Sequence, residues 1–221
     1  MYLLFFLLPI FNKAGSGNPV LAMEKQCDLY SALNLSDKGL SSEVFQLAIK
    51  GHRKLETEGK LRNSGILTIA DFSQSSKNKR LYVIDLQHKT LLFNTYVAHG
   101  RNTGDEFAKH FSNVSGSYQS SLGFYVTKKE IMGSGVGLSL ILDGMEKGFN
   151  DNALKRQIII HGADYATEDF ITKTGRLGRS YGCPSLPPNL IKPVAETIKE
   201  GTCFFIYSKN ALYISHSTLI N

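Results

Sequence analysis

Tryptophan is absent from the 221 residues, cysteine occurs three times and proline six times. Without Trp, apolar burial must come from Phe (13), Tyr (10), Leu and Ile. Three cysteines are too few for a small disulfide-framed scaffold. No apolar run is long enough to cross a bilayer comfortably: MYLLFFLLPIF, residues 1–11, falls well short of the ~20 that a spanning helix needs. Also missing is a Gly-rich turn set in a β-α-β alternation, which argues against a doubly wound nucleotide-binding fold. No repeat or low-complexity tract is present. The formal charge of +6 is scattered, and the densest basic run, Lys77 to Arg80, has no interleaved aromatics. No nucleic-acid partner is expected from such a pattern. His88, His99, His110 and His216 are dispersed and lack the short ligand spacing that zinc requires.

What is there begins with that apolar opening. It suits the apolar region of a secretory signal, and Val20-Leu21-Ala22 resembles a small-residue cleavage site, although no Lys or Arg precedes the run. Residues 1–22 are therefore expected to be a signal peptide or a short membrane anchor, and the protein to be exported to the periplasm or cell wall. Residues 23–60 are expected to form an N-terminal arm and helix, and residues 61–221 a single domain. An exported chain with three cysteines keeps at least one thiol unpaired. Pairing of Cys27 with Cys203 leaves Cys183 free; alternatively, Cys203 is a core residue of the apolar run Cys203-Phe204-Phe205-Ile206-Tyr207.

Periodicity places residues 23–36 in a loosely tied arm and a helix from Ser41 or Ser42 to about Gly59. Short strands follow at 65–72, 80–86, 90–98, 123–128, 137–142 and 156–161. The Gly-, Ser- and Asn-rich stretch from Gly100 to Gly123 has no clear period, as functional or mobile connections often do not. A helix over 189–199 and a terminal hairpin of 203–207 with 211–215 complete the expectation. Many short strands and few helices give a β-rich α+β domain, a sandwich or curved sheet.

The chemistry concentrates between Ile158 and Pro187. Ile158-Ile159-Ile160 reads as a buried strand that delivers His161 to its end, where Gly162 permits a tight turn or a close approach. About twenty residues later, Cys183 lies among glycines, with Arg176 and Arg179 nearby and Pro184 after it. A thiol becomes a nucleophile when a neighbouring imidazole or positive charge favours the thiolate. The N–H groups of Gly182 and Cys183 could face a developing oxyanion, and the guanidiniums could hold a substrate carboxylate. Taken singly, a strand-end histidine or a cysteine between glycines is more often structural than catalytic.

The ordered set His161-Gly162 followed by Ser180-Tyr181-Gly182-Cys183 resembles the signature of the YkuD-type L,D-transpeptidase catalytic domain. Pro184 brings it closer to the murein L,D-transpeptidase branch in which Pro follows the Cys. The likeness extends upstream through His99-Gly100-Arg101-Asn102-Thr103-Gly104, Ser120 to Tyr125 and Gly137 to Asn150, and covers roughly residues 60 to 215. It implies the family's β-sandwich-like catalytic domain over 61–221, with peptidoglycan stem peptides as substrate and no metal or organic cofactor. It further implies Cys183 as nucleophile, His161 as base, the Gly162 carbonyl as orienter of the ring, and Ser180 as a brace of the loop. Formation of 3–3 cross-links through a thioester is the implied activity. The alternatives are hydrolysis, as an L,D-carboxypeptidase or endopeptidase, and a non-catalytic wall-binding module. Acylation by a carbapenem is a further implication. His99, Tyr181 and the Ser120–Tyr125 segment, Ser121 and Tyr125 in particular, are expected to line the substrate groove, with a hydrogen-bonded strand-end residue as the equal alternative for His99. The chain departs from the broad family two residues after the cysteine, where Ser185 replaces an Arg; Arg179 and then Arg176 are the candidates to hold the carboxylate.

Overall fold

The computed structural model describes residues 29–221. The apolar opening, Val20-Leu21-Ala22 and Cys27 lie outside the described residues. The first long element is helix α1 (Ser42–Thr57). Ser41 caps it, its side chain accepting from the Val44 N–H, and Glu43 lies in the first turn, where an acidic group meets the positive end of the helix. Its buried face, from Val44 and Phe45 to Leu55, repeats at helical spacing. Gly51 lets this face lie on the sheet, because a Cβ there would sit 2.1 Å from the Phe124 ring. Phe124 in turn stacks on Phe205 at 4.0 Å between centroids.

The strands are β1 (Ile66–Asp71), β2 (Leu81–Asp85), β3 (Thr90–Thr95), β4 (Gly123–Gly133), β5 (Gly137–Gly144), β6 (Ile159–Gly162), β7 (Ser185–Leu186) and β8 (Cys203–Tyr207). They join in one mixed sheet, ordered β3-β2-β1-β8-β4-β5-β6-β7. β1 and β8 run parallel at its centre, and every residue of both is buried, as expected of strands covered on both faces. The chain beyond β3 reaches the opposite edge: Ala98 bridges Ser185 and Gly100 bridges Ser180. The two ends of the strand order are thus tied together. This β-rich α+β architecture brings the segment after β3 beside the cysteine loop.

Three local expectations change. The segment up to 36 is not a loose arm where it is described: Leu33 and Leu35 are buried, and Tyr30 donates to the Leu40 carbonyl. Residues 211–215 form a helix, α4 (Ala211–His216), rather than the second strand of a hairpin, because Asn210 caps it by accepting from Tyr213 N–H. A further helix, α2 (Glu168–Thr174), follows a 3-10 turn at Asp164–Ala166. Thr167 caps it, and Gly175 ends it in the left-handed region at φ 81°. The 189–199 helix is α3 (Pro188–Ile198), with Pro in its first turn. Cys203 is a free thiol buried in β8, its expected partner Cys27 lying outside the described residues. No described helix is long and apolar enough to cross a membrane.

Candidate active site

A cleft of about 780 Å³ is walled by the end of β6, the 3-10 turn, the cysteine loop, α3 and the 134–136 tip between β4 and β5. His161, Gly162, Asp164, Tyr165, Arg179, Ser180, Tyr181 and Cys183 all line it. His161 reaches it because β6 pairs in parallel with β7, aligning His161 with Ser185 and Gly162 with Leu186. A Cβ on Gly162 would lie 3.3 Å from the Pro188 Cα, so the glycine allows α3 to close over this strand end.

The Nδ1 of His161 is 3.0 Å from the Gly162 carbonyl oxygen, which can only accept. Nδ1 therefore carries the hydrogen of the neutral ring, and Nε2 offers a lone pair. Burial holds the ring below the usual histidine pKa, and the hydrogen bond to Gly162 opposes this, so the imidazole is neutral at pH 7 and able to take a proton. Ser185 Oγ lies 3.0 Å from Nε2, and the Tyr165 hydroxyl 3.0 Å from that same Oγ.

The cysteine loop is fixed by two serines. Ser180 Oγ donates to the Cys183 carbonyl at 2.5 Å and accepts from Gly182 N–H at 3.0 Å. Ser120 Oγ donates to the Gly182 carbonyl and accepts from Gly100 N–H, each at 3.0 Å. Gly182 has φ 125°, and a Cβ there would meet the Gln119 carbonyl at 2.9 Å, so glycine is required. The Gly182 N–H, expected to face an oxyanion, donates to Ser180 Oγ in this structure. The Cys183 N–H has no partner among the described residues. The thiol of Cys183 is half-buried and donates weakly to the Gln157 carbonyl at 3.9 Å. Burial pushes its pKa up, partly offset by the Ile159 N–H and the Arg156 charge. No hydrogen bond joins it to His161, although both face one cleft.

The other predicted residues divide. Arg179 lines the cleft and pairs with Asp105 at 2.5 Å. Arg176 lies outside it, in an adjoining hollow of about 280 Å³ shared with Arg101, Phe170, Gly178, Arg179 and Tyr181. Tyr181 is 68% exposed and packs on Tyr118. His99, Ser121 and Tyr125 are not among the residues that line this cleft. His99 is buried between Arg80, 2.8 Å from its Nδ1, and the Gly104 carbonyl, which accepts from Nε2 at 3.2 Å. Desolvation and the Arg80 charge hold it down to about 3. Tyr125 is fully buried, its hydroxyl donating to the Ser121 carbonyl at 3.0 Å. Ser121 donates to the Ser112 carbonyl.

Sequence reasoning missed Arg156 and Tyr165, and it named Ser120 and Ser185 without the roles that they have here, on the cysteine loop and on His161. Arg156 donates to the Ser112 and Gln119 carbonyls, both at 2.7 Å, and to the Ser121 hydroxyl. It thereby anchors the irregular 100–123 segment beneath the cysteine loop. Only its place just before the Ile158-Ile159-Ile160 run could have marked it. Among the described residues, no three His, Cys, Asp or Glu side chains gather as a metal site.

The family model for the L,D-transpeptidase catalytic domain matches residues 36–207. Among solved structures, an L,D-transpeptidase from Mycobacterium smegmatis is 11% identical, with a TM-score of 0.41, over 65% of this chain and 59% of that one. L,D-transpeptidase 3 from Mycobacterium tuberculosis, in complex with a faropenem-derived adduct, is 13% identical, with a TM-score of 0.42, over 65% and 60%. This chain thus spans about three fifths of the length of each of these two relatives. No curated protein matches it. Most of the described chain falls within the family model, the cleft with His161 and Cys183 included, and the chain belongs to the L,D-transpeptidase catalytic domain family.

Proposed function

We propose that the protein is a peptidoglycan L,D-transpeptidase that forms 3–3 cross-links, with Cys183 as nucleophile and His161 as base. The observation that carries this reading is a neutral imidazole with its Nε2 acceptor on the wall of the cleft that also holds a free cysteine. His161 takes the thiol proton at Nε2, and the sulfur attacks the carbonyl carbon of the L-centre of the third stem residue. The Cys183 N–H, unpartnered among the described residues, is the donor available to the oxyanion. Collapse of the tetrahedral intermediate breaks the C–N bond, and the imidazolium returns its proton to the departing D-alanine amine. The side-chain amine of a second stem then attacks the thioester carbonyl and frees the thiol. Arg179 and Tyr181 are the groups best placed to hold the donor stem, and Arg179 is the nearer guanidinium for its carboxylate. Export to the periplasm or cell wall is part of the same reading and agrees with the apolar opening of the sequence.

The test adds donor and acceptor muropeptides to the purified protein and follows D-alanine release and 3–3 dimers by mass spectrometry. Dimers that vanish in Cys183→Ala support the reading. D-alanine release without dimers identifies a hydrolase instead. Full activity in Cys183→Ala overturns the mechanism. A carbapenem mass adduct confined to Cys183 is expected, and its absence favours a wall-binding module.

A further inference from the structure

Ser185 occupies the nitrogen of His161 that the proposed reaction requires to take the Cys183 proton. Because Nδ1 donates to Gly162, the neutral ring has one lone pair, at Nε2, and Ser185 Oγ donates to it at 3.0 Å. That uses the only hydrogen of the serine, so the Tyr165 hydroxyl, 3.0 Å away, donates to the same oxygen. The Cys183 sulfur faces backbone instead, the Gln157 carbonyl and the Ile159 N–H. Ser185 is fully buried, and its backbone is pinned to Ala98 in both directions, at 3.2 and 2.9 Å. Only its hydroxyl is free to turn. Tyr165 is held as well: its carbonyl accepts from Gly178 N–H at 2.8 Å, and a Cβ on Gly178 would lie 2.3 Å from the Tyr165 Cβ.

We infer that Ser185 and Tyr165 are positioning residues forming a hydroxyl gate on His161: Ser185 occupies the Nε2 lone pair at rest and releases it by swinging its hydroxyl about the Cα–Cβ bond, away from Nε2 and onto Tyr165. In that turn Ser185 O–H leaves Nε2 and donates to Tyr165 Oη, while the tyrosine hydrogen swings toward the cleft. The S–H proton of Cys183 then moves to Nε2, giving thiolate and imidazolium with no net change in protons or charge. When the hydroxyl swings back, the new Nε2–H donates to the Ser185 oxygen, so the same two hydroxyls serve both protonation states. The other charged or titratable groups facing the pair are Asp164 from the 3-10 turn, Arg179 and Tyr181 from the cysteine loop, and Arg156 from the turn before β6. Arg179 is already paired with Asp105.

The inference rests on Cys183 and His161 acting as thiol and base, but its test needs no wall substrate. The rate of iodoacetamide alkylation of Cys183 is followed across the neutral pH range by mass spectrometry, Cys203 being buried. In Ser185→Ala the lone pair is open, and alkylation below neutrality rises roughly three- to tenfold, the reach of one hydrogen bond. Tyr165→Phe removes the alternative acceptor, keeps Ser185 on Nε2 and slows alkylation by a similar factor. The double variant matches Ser185→Ala alone. Unchanged or slower alkylation in Ser185→Ala overturns the gate, and so does faster or unchanged alkylation in Tyr165→Phe, which decides alone if Ser185→Ala fails to fold. These signs together with no muropeptide exchange keep the gate and remove the transpeptidase reading; exchange without them does the reverse.

Discussion

The chain contains the pair His-Gly twice beside the cleft, at His99-Gly100 and at His161-Gly162, and the two regions use it in opposite ways. Each histidine is buried, follows an apolar stretch and rests as a neutral ring. His99 has both nitrogens committed to the fold, one to Arg80 and one to the Gly104 carbonyl, and the guanidinium of Arg80 also donates to the Val97 and Gln74 carbonyls. His161 commits only Nδ1 to the backbone and leaves Nε2 to a hydroxyl that can turn away. A histidine whose two nitrogens are both held by the fold braces the structure. One with a nitrogen facing a cleft can move a proton.

The sharpest way to break that comparison is to remove each ring. His161→Ala should lower carbapenem acylation of Cys183 by about 10²–10⁴, the reach of a general base, with little change in urea unfolding. His99→Ala should do the reverse, costing about 3 kcal/mol in urea unfolding by leaving the buried Arg80 short of a partner, while the folded fraction still acylates. Exchanged outcomes would end the distinction.

pH sharpens it next. The folded pKa of His99 is near 3, against about 6.5 when unfolded. Between these values the unfolded chain binds the proton and the folded chain does not, so stability is full above about pH 6.5 and declines toward pH 3. His52 and His161, also lowered by burial, add in the same direction. The melting temperature of His99→Gln should fall less steeply over that acid range than that of the wild type, and an unaltered slope would sink the assignment.

A smaller effect belongs to Arg156, whose charge lowers the Cys183 pKa and whose donors hold the 112–121 stretch. Arg156→Gln should slow Cys183 alkylation at neutral pH severalfold and speed amide exchange in that stretch. The smallest change is expected of Tyr181→Leu. Being exposed, Tyr181 should alter stability by no more than about 0.5 kcal/mol, with any loss confined to KM for the donor stem.

Much of the site was legible in the sequence because its anchors are local. Three isoleucines announce the strand under His161, and glycines beside Cys183 announce a tight loop. The helix after Thr167 carried equally local signals, a threonine cap, Glu168 and Asp169 in the first turn and Gly175 at the end, yet its length of seven residues is too short for a hydrophobic period to stand out. At 211–216, the apolar Leu212 and Ile214 suggest a strand by alternation, and the Asn210 cap decides for helix. Ser121 and Tyr125 lie off the cleft, since likeness in sequence says nothing about which way a side chain turns.

The sequence by itself determined the β-rich core, the helix over residues 42–57 and the two side chains on which the chemistry is proposed to depend, because apolar periodicity, caps and turn glycines act within a few residues. Tertiary structure alone decided which hydroxyl meets Nε2, which histidine becomes a brace and what anchors the long irregular segment. Those outcomes rest on hydrogen bonds made across the sheet, such as Ser185 to His161 and Arg156 to Gln119. Such bonds form only within about 3 Å and in the right direction, and strand pairing, not spacing along the chain, sets both.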